Sequence, residues 1–549
     1  MTSPHVKTKE GLRRISIDPV TRLEGHGKID IFLDQDGNVA DCFFQVPELR
    51  GFEKFCEGRP VEELPRITPR ICGVCPEAHM MASAKACDAV YGADLPLTAR
   101  MLRELQYNIF YVTDHTTHFY ALGGPDFVMG PQSDPALRNL IGVIGKVGVA
   151  IGGEVIKCRT WGHEAAGIFG GKPVNPVNAI PGGMSKALKP EERDRLEEIC
   201  RFMVEFGKFT LKLFHDVVLS NKEYVDLILN GPYYHETYSM GLVDEKNRVN
   251  FYDGKVRVVA PDGQELCKYA PPEYMQHIAE RVEPWTYLKF PYLKKVGWKG
   301  FVGGKESGVY RATPQSRLNV ADGMNSPLAQ EAYEEYFETL TGDRSGKKPV
   351  HHTLAIHWAR VIELMNAAER SLELVRHPEI THPENYRVVC DKIPREGVGI
   401  VEAPRGTLTH HYVTDERGIV QKANLIVGTT NNHAAICMSI KQAAQGLIRK
   451  GVDVTEGVLN MIEMAFRAYD PCFGCATHSL PGQMPLTVRV RDADGSVLTE
   501  VSRYPRLRTT PTDEGRSRYG KDQGTVRWAG DRRRHRGHAG RLGSGRPGL

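Results

Sequence analysis

The sequence predicts an α+β fold, a mainly helical core bundle with interleaved β-hairpin lobes, on three observations. Long stretches with apolar residues at helical spacing dominate the 549-residue chain, Glu191–Asn221 and His351–Arg376 being clear cases. Asp-Gly pairs flanked by alternating apolar and polar residues recur near the start, middle and end, as hairpins require. Two Cys-x-x-Cys half-sites stand far apart, Cys72/Cys75 in RICGVCPEAH and Cys472/Cys475 in DPCFGCATH, and the chain has no other. Pairing them makes the N- and C-terminal segments converge on one buried four-thiolate metal site.

Taken in order, Lys28–Val46 alternates about Asp36-Gly37 and reads as a hairpin, with Asp18, Arg22, Glu24 and His26 crowded just before it. The segment from Gly51 is charged and proline-broken. After Pro76 a helix rich in small residues runs to Gly92, placing His79 one turn from Cys75 on the same face. Thr98–Leu122 is a long helix carrying Asp114, His115 and His118, in which Asp114 and His118 stand at local-pair spacing. Asp134 to Ala165 reads as a further helix, N-capped by Asp134 with proline at its first position. The following loop contains GGKP, but Pro173 stands where a phosphate loop needs Ser or Thr.

Glu191–Asn221 sends Phe206, Phe209, Leu211, Leu213 and Phe214 toward a core. From Tyr233 to Gly323 a second Asp-Gly hairpin region gives way to aromatic, proline-rich sequence with no evident chemistry. His351–Arg376 is helical, and its histidines suggest core or surface positions. Two or three strands follow, with Pro404-Arg405-Gly406 in a loop. Helices from Asn432 to Lys450 and from Val454 to Ala468 deliver the chain to the second half-site, and a third Asp-Gly hairpin comes after it.

Because both ends share one site, residues 1–478 are expected to form one body of interleaved lobes, followed by a hairpin segment 479–504 and a disordered basic tail 505–549. The net charge of +4 divides into +8 on that tail and −4 on the rest, which argues against nucleic acid as the main partner. Twelve cysteines, eight of them scattered singly, do not make a disulfide framework. The N-terminus lacks the apolar core of a signal peptide, and no run approaches the roughly 18 apolar residues of a membrane helix. These features predict a soluble, cytoplasmic protein.

A structural zinc site is the plainest use of four cysteines. The spacing of 397 from Cys75 to Cys472 does not exclude it. A twentyfold longer loop costs only about 2.7 kcal/mol more to close, against roughly 10–16 kcal/mol from a bound structural zinc. The polar residues crowded around both half-sites favour a reactive centre instead. Four thiolates suit iron or an iron–sulfur cluster equally, and two of them can bridge to a second metal.

The motifs DPVTRLEGH, RGFEKFCEGRP, RICGVCPEAH, DHTTHFY, EAPRG and DPCFGCATH, in that order from Asp18 to His478, resemble the large, catalytic subunit of nickel–iron hydrogenases. GGPDFVMG and SLPGQMPL are most similar to the cytoplasmic, viologen-reducing group linked to heterodisulfide reductase. Asn175 stands where the family often has histidine and receives no role.

The resemblance implies nickel on all four thiolates, Cys72 and Cys472 terminal and Cys75 and Cys475 bridging to an iron with carbon monoxide and cyanide ligands. It implies heterolytic splitting of dihydrogen, with the Cys472 thiolate as a candidate base and Glu24 passing the proton onward. Arg405 would sit above the metals with Asp114 and Asp470. Pro404 and Thr429 would line the diatomic ligands, and His79 would donate to a bridging thiolate. Glu53 and His478 resemble ligands of a secondary magnesium or iron site.

No further cluster motif remains, so an iron–sulfur small subunit is required, with electron-transfer subunits such as heterodisulfide reductase beyond it. A maturation protease would cut after His478. The alternatives are a hydrogenase-related respiratory-complex subunit, whose class has lost the four cysteines, and a zinc-stabilised scaffold.

Overall fold

Four long helices, Leu97–Thr117, Val149–Gly170, Pro190–Phe214 and Ile356–Val375, pack in a ring, each against two others. The computed structural model describes residues 13–393 and 395–477, and the backbone of strands Leu486–Arg491 and Val497–Arg503. Each helix begins where the sequence stops competing with it. Pro190 starts its helix in a position that needs no amide donor, and Glu192 accepts the Lys189 N–H at 3.1 Å.

The Leu97 helix does not end cleanly at residue 122. It widens into a π-helical segment, His118–Gly123, before Gly124–Val128. The helix expected over 134–165 is two helices. Asp134 caps only a local turn through the Ala136 N–H, Asn139 N-caps Leu140–Val147, and Gly148 at φ 96° breaks the chain before Val149.

The expected hairpins are present. Strands Lys28–Leu33 and Val39–Gln45 pair antiparallel, joined by an unexpected third, Arg13–Ile17. Lys255–Val259 pairs with Glu265–Tyr269 across the Asp262-Gly263 turn, and Tyr238–Val243 extends that sheet. The backbone of Leu486–Arg491 pairs antiparallel with Val497–Arg503. The expected disorder of residues 505–549 lies outside the described residues.

A third sheet positions the site. Glu396–Ala403, Gly406–Thr414 and Val420–Ile426 are antiparallel, and Ala403 pairs with Gly406, so Pro404 and Arg405 form a two-residue hairpin tip. The sheet lies directly on the small-residue helix Pro76–Tyr91. A Cβ at Gly397 would stand 2.4 Å from the Ala86 carbonyl oxygen, and one at Gly399 2.1 Å from that of Ala82. Glycine against alanine is what lets the tip bearing Arg405 reach the first half-site.

Candidate metal centre

The first half-site lies between a 3-10 turn, Thr68–Ile71, and the helix that Pro76 starts, with Cys75 at the N-cap. Cys72 Sγ accepts the amides of Val74 (3.2 Å) and Cys75 (3.3 Å). The second half-site turns at Asp470, whose φ of 55° sends the chain back on itself, and Cys472 then N-caps the single turn Phe473–Ala476. The two meet. Sγ separations are 3.3 Å for Cys72–Cys472, 3.5 Å for Cys75–Cys475 and 2.8 Å for Cys472–Cys475, and all four lie within 4.8 Å of one another, buried.

Two connections that no local motif reveals hold the halves together. Arg50 Nη1 donates to the carbonyls of Ile71 (2.5 Å) and Gly474 (2.9 Å), one beside each half-site. Glu24 forms a parallel bridge with Cys472, its carbonyl accepting the Phe473 N–H at 3.0 Å. Its carboxylate Oε2 lies 2.9 Å from Cys472 Sγ and accepts the Gly474 N–H at 3.0 Å. Burial pushes the Glu24 pKa up, and the neighbouring Cys72 charge raises it further.

Hydrogen bonding from Cys472 pulls the Cys72 thiol well below its usual range, while burial pushes Cys472 and Cys475 well above theirs. Four sulfurs converging in a buried place favour a soft cation that replaces their protons. Nickel and low-spin iron fit this all-sulfur donor set.

Arg405 Nη1 donates to Asp114 Oδ2 at 3.1 Å, and its Nη2 lies 2.9 Å from Asp470 Oδ2 without hydrogen-bond alignment. Burial raises the Asp470 pKa to about 7, and Arg405 and Arg360 pull against it. Burial lowers the Arg360 pKa to about 10. Its Nη1 lies 3.6 Å from Asp470, and its Nη2 donates to the Ala468 carbonyl at 2.9 Å. The Pro404 carbonyl accepts from Arg317 Nη2 at 3.0 Å, and Arg317 also binds Glu363 and Glu402. Arg317 thus gives a structural role to the middle third of the chain, where sequence reasoning found no chemistry.

Several expectations change at atomic detail. Asp114 and His118 do not pair with each other; Asp114 turns to Arg405, and His118 Nε2 meets the Arg467 carbonyl at 2.8 Å. The Thr429 hydroxyl accepts the Cys472 N–H at 3.1 Å, which leaves its own proton to donate elsewhere. His79 Nδ1 meets His410 Nε2 at 3.2 Å, and its Nε2 is buried without a partner rather than bonded to a thiolate. Burial lowers the His79 pKa to about 4, so the ring is neutral.

Glu53 is not among the four-sulfur group. It accepts the Leu425 N–H at 3.0 Å and lies 3.7 Å from Lys289 Nζ, with burial raising its pKa. His478 lies outside the described residues.

Arg50, Arg317, Arg360 and His410 escaped sequence reasoning because each acts on a residue distant in sequence. The only available signal was that Arg50 opens the RGFEKFCEGRP motif.

A family model described as nickel-dependent hydrogenase matches residues 50–133 and 243–478, and a HoxL-like model matches residues 14–49. An F420-non-reducing hydrogenase iron-sulfur subunit of Archaeoglobus profundus is 48% identical over 493 residues, covering 90% of this chain and 100% of that protein. An F420-non-reducing hydrogenase subunit of Methanothermobacter thermautotrophicus is 40% identical, covering 89% and 100%. The crystal structure of an NAD+-reducing [NiFe]-hydrogenase in the H2-reduced state superposes with a TM-score of 0.78 at 35% identity, covering 85% of this chain and 99% of that one. Similarity over 90% of the chain, joined to a four-thiolate cage built from two half-sites far apart in sequence, makes this protein a member of the nickel-dependent hydrogenase family and the catalytic subunit of such an enzyme.

Proposed function

We propose that Glu24 carries the proton between the metal centre and solvent during reversible heterolytic cleavage of dihydrogen. Cys72 and Cys472 would be terminal ligands of nickel, with Cys75 and Cys475 bridging to an iron that bears carbon monoxide and cyanide. When bound, this pair supplies the Lewis acidity that polarises dihydrogen.

The observation that carries the reading is the 2.9 Å contact between Cys472 Sγ and a half-buried carboxylate. A proton held on that sulfur has Glu24 Oε2 within hydrogen-bond reach. The Gly474 N–H and the Glu24–Cys472 bridge keep it there. Arg405, with Asp114 and Asp470, would hold a fixed positive charge beside the metals, and Pro404 and Thr429 would line the diatomic ligands.

Glu53, with His478, would hold a magnesium or iron ion. The partnerless Glu280 Oε1, sharing Lys289 with Glu53, adds a second hard oxygen of the kind such ions prefer.

The eight other cysteines stand singly, so electrons would leave through an iron–sulfur small subunit to a carrier such as heterodisulfide reductase, in the cytoplasm. Among the described residues no helix is long and apolar enough to cross a membrane. Maturation would cut after His478, where the family match also stops. The catalytic chain in an active complex should then have an intact mass ending at His478; an active chain ending at Leu549 would contradict this.

Glu24→Gln keeps the shape and the Gly474 contact but cannot carry the proton. Nickel content should be unchanged while hydrogen–deuterium exchange falls about 10²–10⁴-fold. Exchange at the unmutated rate would remove Glu24 from the route.

A further inference from the structure

The hairpin tip that bears Arg405 is held by its backbone carbonyls. Arg317 donates to those of Ala403 at 3.1 Å and Pro404 at 3.0 Å. Asn432 Nδ2 donates to that of Arg405 at 2.7 Å, and Asn431 Nδ2 to that of Thr407 at 2.6 Å. Both asparagines are buried, side by side in the 3-10 turn Gly428–Asn432. A Cβ at Gly406 would stand 2.4 Å from the Gly428 carbonyl oxygen, and one at Gly428 2.9 Å from that of Gly406, so tip and turn meet backbone to backbone.

The same turn holds the second half-site. Thr429 Oγ1 accepts the Cys472 N–H at 3.1 Å, and Thr430 Oγ1 donates to the Ala476 carbonyl at 3.4 Å. One short turn therefore joins the Arg405 backbone to the Cys472 backbone. Asn432 ties in a third segment, because its Oδ1 accepts the Ala312 N–H at 2.7 Å. Its amide has only one workable orientation: a peptide N–H can only donate and a carbonyl only accept, so Oδ1 faces Ala312 and Nδ2 faces Arg405. An apolar side chain here would leave both backbone groups buried without this partner. At the far end of the Arg405 side chain, Nη1 meets Asp114 at 3.1 Å and Nη2 lies 2.9 Å from Asp470. Several rotatable bonds separate that head from its root, so the carboxylates alone do not fix where the side chain starts.

We propose that Asn432 is a positioning residue for the reaction: it holds the Arg405 peptide in fixed relation to Cys472 and acts on turnover through the Arg405 guanidinium. The proposal rests on the reading that Arg405 carries its charge beside the metals.

The test compares the assembled complex in four forms: unmutated, Asn432→Leu, Arg405→Lys and the two substitutions together. Nickel and iron content, kcat and KM for dihydrogen are measured for each, and a crystal structure of the Asn432→Leu complex is read for the Arg405–Asp114 contact. Leucine is close to asparagine in size and makes no hydrogen bond. Asn432→Leu should keep both metals, separate Arg405 from Asp114, and lower kcat about 10–100-fold at unchanged KM. In the Arg405→Lys background it should cost no further rate, because the group it places is gone.

An equal fold-loss in both backgrounds, an unmoved Arg405–Asp114 contact, or full kcat in Asn432→Leu overturns the positioning role while leaving the reading of Arg405 intact. Arg405→Lys turning over at the unmutated rate overturns that reading and the proposal with it. Should Arg405→Lys be too slow to compare, the Arg405–Asp114 contact decides. If Asn432→Leu loads no nickel, Asn432→Asp, which keeps the acceptor for Ala312, takes its place with the same expectations; loss of nickel in both would assign Asn432 to assembly of the site and overturn the proposal.

Discussion

At the scale of residues, the centre is a small volume where burial works against charge and specific partners restore the balance. Arg405 faces Asp114 and Asp470, and Arg360 faces Asp470, so two guanidinium groups and two carboxyl groups share one buried cluster. Farther from the metals, Glu402 shows the cost of such burial. Its pKa is raised to about 7 by desolvation, against the pull of Arg317.

A carboxyl whose folded pKa is raised binds its proton more tightly when folded. Its stabilising effect is therefore complete below the unfolded value of 4.5 and is lost as pH rises through about 7. Glu402→Gln removes that titration. Between pH 4.5 and pH 7 its stability relative to the unmutated protein should improve by up to about 3 kcal/mol. Urea midpoints at the two pH values measure this, and an equal gap at both would refute it.

At the scale of elements, the site depends on backbones approaching more closely than side chains allow. A Cβ on Gly25, at φ 89°, would stand 2.9 Å from the Gly474 nitrogen, and the Glu24–Cys472 bridge passes through that gap. The contact between the sheet and the helix Pro76–Tyr91 is equally tight. Gly399→Ala would push its Cβ against the Ala82 carbonyl and lift the hairpin tip. The expected cost is about 1–3 kcal/mol, read as a lower melting temperature, together with weaker metal loading. An unchanged melting temperature and full loading would show that the sheet tolerates the displacement.

These close contacts also set how far the sequence could be read. The small-residue character of Pro76–Tyr91 was visible, but not that Gly397 and Gly399 answer it from more than 300 positions away. The hairpins were legible because Asp-Gly turn chemistry is local. The break at Gly148 was not, because apolar periodicity continues on both sides of it and only the backbone angle marks the boundary. Arg50, Arg317, Arg360 and His410 were invisible as functional positions for the same reason: a guanidinium or imidazole buried by distant partners leaves no periodic trace in its own segment.

At the scale of the whole molecule, the chain brings segments far apart in sequence together at the cage. Cys72 and Cys472 are 400 positions apart, and their sulfurs are 3.3 Å apart. Arg50 and Glu24 make the same connection through backbone and side-chain hydrogen bonds, so protein contacts alone hold the two half-sites together. The cysteines, Glu24 and Arg405 were legible from their motifs; the convergence of the two ends followed from there being only two Cys-x-x-Cys pairs to share one metal.

This convergence is expected to build a nickel–iron centre. Elemental analysis of the purified complex, combined with its infrared spectrum, tests it most directly. The prediction is bound nickel and iron together with carbon monoxide and cyanide stretching bands, all lost when Cys72 or Cys472 is replaced by serine. Zinc without nickel, in a complex showing no such bands, would contradict it.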